Sequence, residues 1–403
     1  MTALDCIDLL KRLIAIPSPS RNETAAADLL EAHMREQDME PTRTGNNLWE
    51  VAPGFMPQRP TLILNAHIDT VKPVADWTFD PYVPTVVNDD EGDARLYGLG
   101  SNDDGASLVT LLATYLSLRP QAARQTGTMA HAATADASAA YNLIFIASAE
   151  EEVSGANGIS SVLPLIEELW TKQTNETKET NETNGGNETN ETSEGSETSE
   201  APWHDVVALV GEPTCMQPAI AEKGLMVLDC VAHGKAGHAA REEGDNAIMH
   251  ALSDIQWFGS YQFAQTSGML GPVKMTTTII EAGTQHNVIP DRCCFTVDVR
   301  SNECYSNEEI YDIVRAHIKS EVKARSFRLN SSRIDAEHPL IRRAVALGRQ
   351  PFGSPTLSDQ ALMPFPSFKM GPGDSRRSHT TNEYIEFKEI EEALRLYASL
   401  LHA

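Results

Sequence analysis

Four apolar runs constrain this 403-residue chain most: TLILNAH (61–67), NLIFIASA (142–149), VVALVGE (206–212) and PSFKMG (366–371). Continuous apolar stretches without polar alternation suit strands covered on both faces, so the runs read as buried strands of a mainly parallel sheet. Helical patterns at residues 25–36, 105–118 and 158–170 lie between or before them. The alternation predicts βαβ units, hence an α/β fold with helices flanking the sheet. Sheets of this kind gather ligands beyond the carboxyl ends of their strands. His67, Glu151, Glu152 and Glu212 all fall at such ends.

From Glu222 to about Leu329 the pattern changes. GLMVLDCVAHG, a helix over 245–258, KMTTTIIEAG, CCFTVDVRS and a helix over 307–320 make two strand-helix-strand sets. They predict a compact α+β domain over 219–329, inserted between the 1–218 and 330–403 parts of a catalytic domain. Residues 172–202 repeat Asn-Glu-Thr and hold almost no apolar side chains. Such a segment buries too little surface to offset its ordering entropy and is expected to be a disordered surface insertion. The Ala-rich stretch 121–140 reads as a second loop.

Charge narrows the partners. At a formal −25 the surface repels nucleic acid and anionic lipid, while a small molecule carrying some positive charge is compatible. No run of eighteen apolar residues occurs, and the first twenty residues lack a basic stretch followed by an uninterrupted apolar one, so neither a membrane span nor a secretion signal is expected. Six cysteines without a CxxC pair fit a reduced, cytosolic chain.

The chemistry-bearing residues follow the strands. His67 and Asp69 form an H-x-D pair in which an imidazole can grip a metal while the carboxylate accepts its other N–H. A lone His at such a point is more often structural, but the carboxylates nearby reverse the odds. In GLGSNDDG (98–105) Asp103 replaces the third glycine of a phosphate-cradling loop, which suits a bridging metal ligand better than a pyrophosphate. Asp104 is read as a helix cap. Glu151 and Glu152 supply two adjacent carboxylates, one for metal and one to take a proton from water, as metal-assisted hydrolysis requires. Glu212 in GEPT and His379 in RSHTTNEY complete the set. Mixed carboxylate and imidazole donors suit zinc, with cobalt or manganese as substitutes. H-E-x-x-H and G-x-S-x-G are both missing, so the competing templates fit poorly.

NAHIDTV, GLGSNDDG, ASAEEEVSG, GEPT, GKAGHAA, NVIP and GPGDSRRSHTTNEY, in this order, resemble the M20 metallopeptidase family, in its acetylornithine deacetylase and succinyl-diaminopimelate desuccinylase branch. The resemblance implies two divalent cations, one held by His67, Asp103 and Glu212 and the other by Asp103, Glu152 and His379. Glu151 would be the general base, with Asp69 supporting His67. It further implies that the inserted domain is a lid and dimerisation module, that His238 reaches across a homodimer to the oxyanion, and that Asn287 and Arg300 hold the substrate carboxylate. Read on its own, His238 among glycines is a turn residue, and Arg300 can simply pair with Asp298. The implied activity is hydrolysis of an N-acyl amino acid, with N-acetylornithine or N-succinylornithine in arginine biosynthesis foremost. Succinyl-diaminopimelate, other acylated amino acids and dipeptides are the rival substrates, and a noncatalytic metal or peptide binder is a more distant reading. Two departures bear on loop shape: Asp104-Gly105-Ala106 stands where Met-Lys-Gly is usual, and Val153-Ser154 where Gly commonly follows the glutamate pair.

Overall fold

The computed structural model describes every residue except 57, 89–92, 121–139, 170, 172–202, 204, 242 and 402–403. The expected insertion at 172–202 and nearly all of the Ala-rich stretch lie outside the described residues. The chain divides into two compact units, one of Met1–Pro218, Asp335–Pro351 and Met363–Ala403, the other of Ala219–Ile334 and Phe352–Leu362.

In the first unit β3 (Thr61–His67) lies between β6 (Asn142–Ser148) and β7 (Val206–Val210), parallel to both, and β17 (Ser367–Lys369) continues the parallel run beyond β7. Every residue of these four strands is buried, as continuous apolar runs require. An antiparallel hairpin, β1 (Thr42–Thr44) and β2 (Asn47–Val51), adds to the outer side of β6. This hairpin is not expected from sequence: its strands are short, and Glu50 within it is buried with partners, its carboxylate accepting Tyr115 Oη–H at 2.8 Å and Glu40 N–H at 2.7 Å and pairing with Arg119 at 3.4 Å.

Helix α3 (Gly105–Leu118) is buried along most of its length and packs on β3 and β6. It also meets α1 (Ala3–Ile14) and α7 (Phe387–Leu401), whose apolar stripes face it. Thr2 caps α1 reciprocally with Asp5. From β3 the chain crosses to one side through α3 to reach β6, then to the other side for β7, so the strand order reverses at β3. A crevice at such a reversal is where α/β sheets place ligands.

The second unit is built on a four-stranded antiparallel sheet, in the order β11 (Lys274–Ala282), β13 (Arg292–Arg300), β9 (Met226–His233), β14 (Glu321–Ala324). Strands β9 and β13 alternate buried and half-buried residues, the pattern of a sheet with one covered face. Its core joins Leu228, Phe295 and Val297 to Phe258 of α4 (Ala247–Ser260) and Ile310 of α5 (Asn307–His317). Helix α5 stops three residues before the expected end because the chain turns at Ile318 towards β14. The return of Phe352–Leu362 to this unit, where β16 (Phe352–Ser354) pairs in parallel with β8 (Ala219–Glu222), has no counterpart in the sequence reading.

Candidate metal centre

Three strand ends of the first unit deliver the acids and an imidazole. His67 is the last residue of β3, Glu151 and Glu152 open a short 3-10 turn after β6, and Glu212 follows β7 by two residues. Asp103 lies in the loop before α3, joined to Asp104 by a cis peptide bond. His379 comes from the loop beyond β17, with a left-handed φ of 59°.

These side chains converge. His67 Nε2 lies 3.2 Å from Asp103 Oδ1 and 3.9 Å from Glu151 Oε2. His379 Nε2 lies 2.9 Å from Glu152 Oε2 and 3.7 Å from Asp103 Oδ2. One donor atom each from His67, Asp103 and Glu152 fall within 4.8 Å of one another, and the same holds for His67, Glu151 and Glu212. Glu151 therefore stands within ligand range of His67, a position wider than the base role alone implies.

Asp69 acts differently from the sequence reading. The acceptor nearest His67 Nδ1 is the main-chain carbonyl of Asp69 at 2.9 Å, with the carboxylate at 3.5 Å. That carboxylate instead accepts the backbone N–H groups of Glu151 (3.1 Å) and Glu152 (3.2 Å) and the hydroxyl of Ser20 (2.7 Å). Asp69 thus fixes the tautomer of His67 through its backbone and aims the glutamate pair through its side chain. Asp104 is likewise no side-chain cap; its Oδ2 accepts the backbone N–H of His67 at 3.4 Å. Ser154 takes a left-handed φ of 44°, a conformation that glycine adopts at least cost.

Electrostatics follow from burial and pairing. Burial pulls the His67 imidazole down, but hydrogen bonds to Asp103 and Asp69 and the charge of Glu151 outweigh it and hold it well above its usual value. Burial pushes Asp103 up, and His67 more than reverses this. Burial also drives the Glu212 carboxyl well above its ordinary range; Asp103 and Asp104 add to the shift, while Lys369 and His67 oppose it. Four carboxylates stand against two imidazoles, a buried His67 and a more exposed His379, and oxygen and nitrogen donors of this kind fit divalent cations. The backbone around Glu212 is equally tight, since a Cβ on Gly371 would stand 2.6 Å from the Glu212 carbonyl oxygen.

A set of buried contacts behind the ligands was not legible in the sequence. Glu383 is buried, and burial with the nearby Asp103 charge pushes its carboxyl up to about 8 while backbone N–H groups of Asp103, Asn102 and Gly100 oppose the rise. The amide of Asn102 donates to the Asp374 carbonyl and the Ser378 hydroxyl, both at 3.2 Å. Its oxygen accepts from Asp374 N–H at 3.0 Å, and a Cβ on Gly373 would stand 2.3 Å from that oxygen.

The other implied residues belong to the second unit. His238 is exposed in the two-residue β10 (Gly237–His238), paired with β12 (Val288–Ile289), and Ala239 N–H donates to the Asn287 carbonyl at 2.9 Å. His238 and Asn287 are therefore brought together. Arg300, at the end of β13, donates in bidentate fashion to Asp298 at 2.9 and 3.2 Å.

With this geometry in view, comparison with known proteins is decisive about kinship. The profile described as Peptidase family M20/M25/M40 matches residues 63–403. The chain belongs to the M20 peptidase family. A peptidase M20 domain-containing protein of Schizosaccharomyces pombe is 25% identical over 98% of this chain and 84% of its own length. A succinyl-diaminopimelate desuccinylase of Corynebacterium glutamicum is 25% identical over 98% of the chain and 96% of its own length. Among solved structures, a dinuclear metal binding M20 peptidase of Bacillus subtilis superposes with a TM-score of 0.62 at 16% identity, covering 99% of this chain and 97% of that one, which carries the fold. The chain is thus an M20-family hydrolase with a mainly parallel α/β sheet and a cluster of candidate metal-binding residues. Among the described residues no helix is long and apolar enough to cross a membrane.

Proposed function

We propose that this protein hydrolyses the amide of an N-acylated amino acid, with N-acetylornithine and N-succinylornithine, as in arginine biosynthesis, the first substrates to test. Succinyl-diaminopimelate is the alternative that the Corynebacterium relative favours. The observation carrying the reading is the base-type Glu151 set within 3.9 Å of His67, inside a ring of metal-type donors at the strand ends.

His67, Asp103 and Glu212 would hold one divalent cation, and Asp103, Glu152 and His379 the other, zinc being the metal best matched to these donors. When bound, the cations acidify water and polarise the acyl carbonyl. Glu151 takes the proton from the attacking water and returns it to the leaving amine. Asp69 keeps both glutamates aimed through their backbone N–H groups.

His238 serves as donor to the oxyanion across a homodimer. Its Nδ1 already accepts Ala240 N–H at 3.1 Å, which puts the ring proton of the neutral imidazole on Nε2, free to donate outward. Support for dimerisation through the second unit comes from β11, the outer strand of its sheet, where Ile279 and Ile280 are half exposed, and from α4, where Met249 and Leu252 are exposed. Asn287 and Arg300 are assigned to the substrate carboxylate on the resemblance, and Arg300 must then exchange its bond to Asp298.

Purified, zinc-loaded protein assayed against N-acetylornithine, N-succinylornithine, N-succinyl-diaminopimelate and dipeptides tests the reading. Turnover of an acyl amino acid at least tenfold above the dipeptides supports it. Preference for dipeptides replaces it, and inactivity across the panel with metal bound supports a noncatalytic binder.

A further inference from the structure

The geometry points to Glu383 as a positioning residue that holds the Asp103 loop in ligating conformation by accepting two consecutive backbone N–H groups on one carboxylate oxygen. Glu383 Oε1 accepts from Asn102 N–H and from Asp103 N–H, each at 2.9 Å. The donors lie about 280 residues away in sequence, so the contact ties two distant segments. Glu383 immediately precedes β18 (Tyr384–Glu386), which pairs antiparallel with β5 (Ala94–Tyr97) so that Tyr384 faces Tyr97. Gly98 N–H then donates to the Glu383 carbonyl at 3.1 Å. The register leaves the Glu383 side chain against the loop that runs from β5 to α3 and carries Asp103.

Two features separate this role from ordinary filling of the interior. The amides held belong to Asp103 itself and to its neighbour, so a shift of the oxygen moves the ligand's own backbone. Glu383 also lies four residues after His379, and the Asn102 amide binds Asp374 and Ser378 on that same segment. One side chain thereby couples the loops bearing Asp103 and His379, whose side chains approach to 3.7 Å. Partners behind a metal ligand typically change metal affinity or activity 10–100-fold when altered.

The inference rests on the proposed metal-dependent reading, and its test keeps the two apart. E383Q retains an oxygen at the same reach, facing Asn102 and Asp103, and gives up the charge. E383D retains the charge but draws the oxygen back by one methylene. Zinc affinity by competition with a chelating dye is measured for wild type and both variants, alongside kcat and KM. The expected result is that E383D loses about tenfold or more in zinc affinity and in kcat, with KM changed less, and that E383Q loses clearly less than E383D. Any other order overturns the inference, including both variants within about threefold of wild type or Gln losing as much as Asp. Wild-type protein that takes up no zinc removes the metal reading itself, whereas zinc uptake unchanged in E383D removes only the role given to Glu383.

Discussion

The parallel sheet of the first unit and the antiparallel sheet of the second solve opposite problems. In the first, β3, β6 and β7 are buried from end to end, and β3 supplies its last residue, β6 and β7 the residues just after them, to the candidate metal centre. Close packing on both faces holds such a strand rigidly, so the donors at and just past its end are aimed by the core. In the second, β9 and β13 cover one face only, and β11 keeps an outer edge with exposed Ile279 and Ile280. The lesson is a contrast in packing: rigidity where donors must converge, and apolar side chains left exposed on the outer strand of the second sheet.

The largest effect should come from the rigid side. E151Q removes the proton acceptor while leaving the metal donors, so kcat is expected to fall about 100-fold or more with zinc content intact. A variant that keeps full turnover removes Glu151 from the base role. Next, F145A in β6 and F295A in β13 each hollow a buried aromatic site and should each cost about 3–5 kcal/mol in denaturant unfolding. They sharpen the contrast because every candidate ligand lies in the first unit: F145A should also weaken zinc binding, and F295A should leave it unchanged. Equal loss in both variants would break the contrast.

Much of the first unit was legible in the sequence because the signal is local. TLILNAH and NLIFIASA announce both a strand and, within a few residues, its ligands. Asp103 was legible because it displaces a glycine in an otherwise phosphate-like loop. The supports were not. Ser20 reaching Asp69, and Glu383 reaching Asn102 and Asp103, join segments far apart, and no periodicity in one segment reports on the backbone amides of another. Asp69 shows the same limit, since H-x-D spacing cannot say whether the carbonyl or the carboxylate meets the imidazole. In the second unit the succession of strand and helix segments announced an α+β domain, whereas the return of Phe352–Leu362 depends on a three-residue strand too short to leave a pattern.

The exposed edge makes a smaller prediction. Lysine at Ile279 and Ile280 together should convert a dimer to monomer in sedimentation velocity while changing monomer stability by less than about 0.5 kcal/mol per site, the usual scale for exposed positions. A wild-type protein that is already monomeric contradicts the docking role of this edge. The smallest effect concerns Asp374, whose carboxyl the Arg376 hydrogen bond lowers from 3.8 to about 2. Because the folded value lies below the unfolded one, its stabilisation is complete above the unfolded value and is lost as pH falls towards the folded one. The difference in Tm between wild type and D374N should therefore be constant above about pH 5 and narrow on acidification to about pH 3. A difference that widens over this range reverses the assigned sign.

The central claim, that the strand ends of the parallel sheet cage a pair of cations, is tested most directly by metal content. Protein loaded with zinc and freed of excess by gel filtration should carry about two zinc ions per chain by elemental analysis, with D103N reduced because Asp103 is assigned to both. Zinc at background level in the wild type, or undiminished in D103N, would contradict the account.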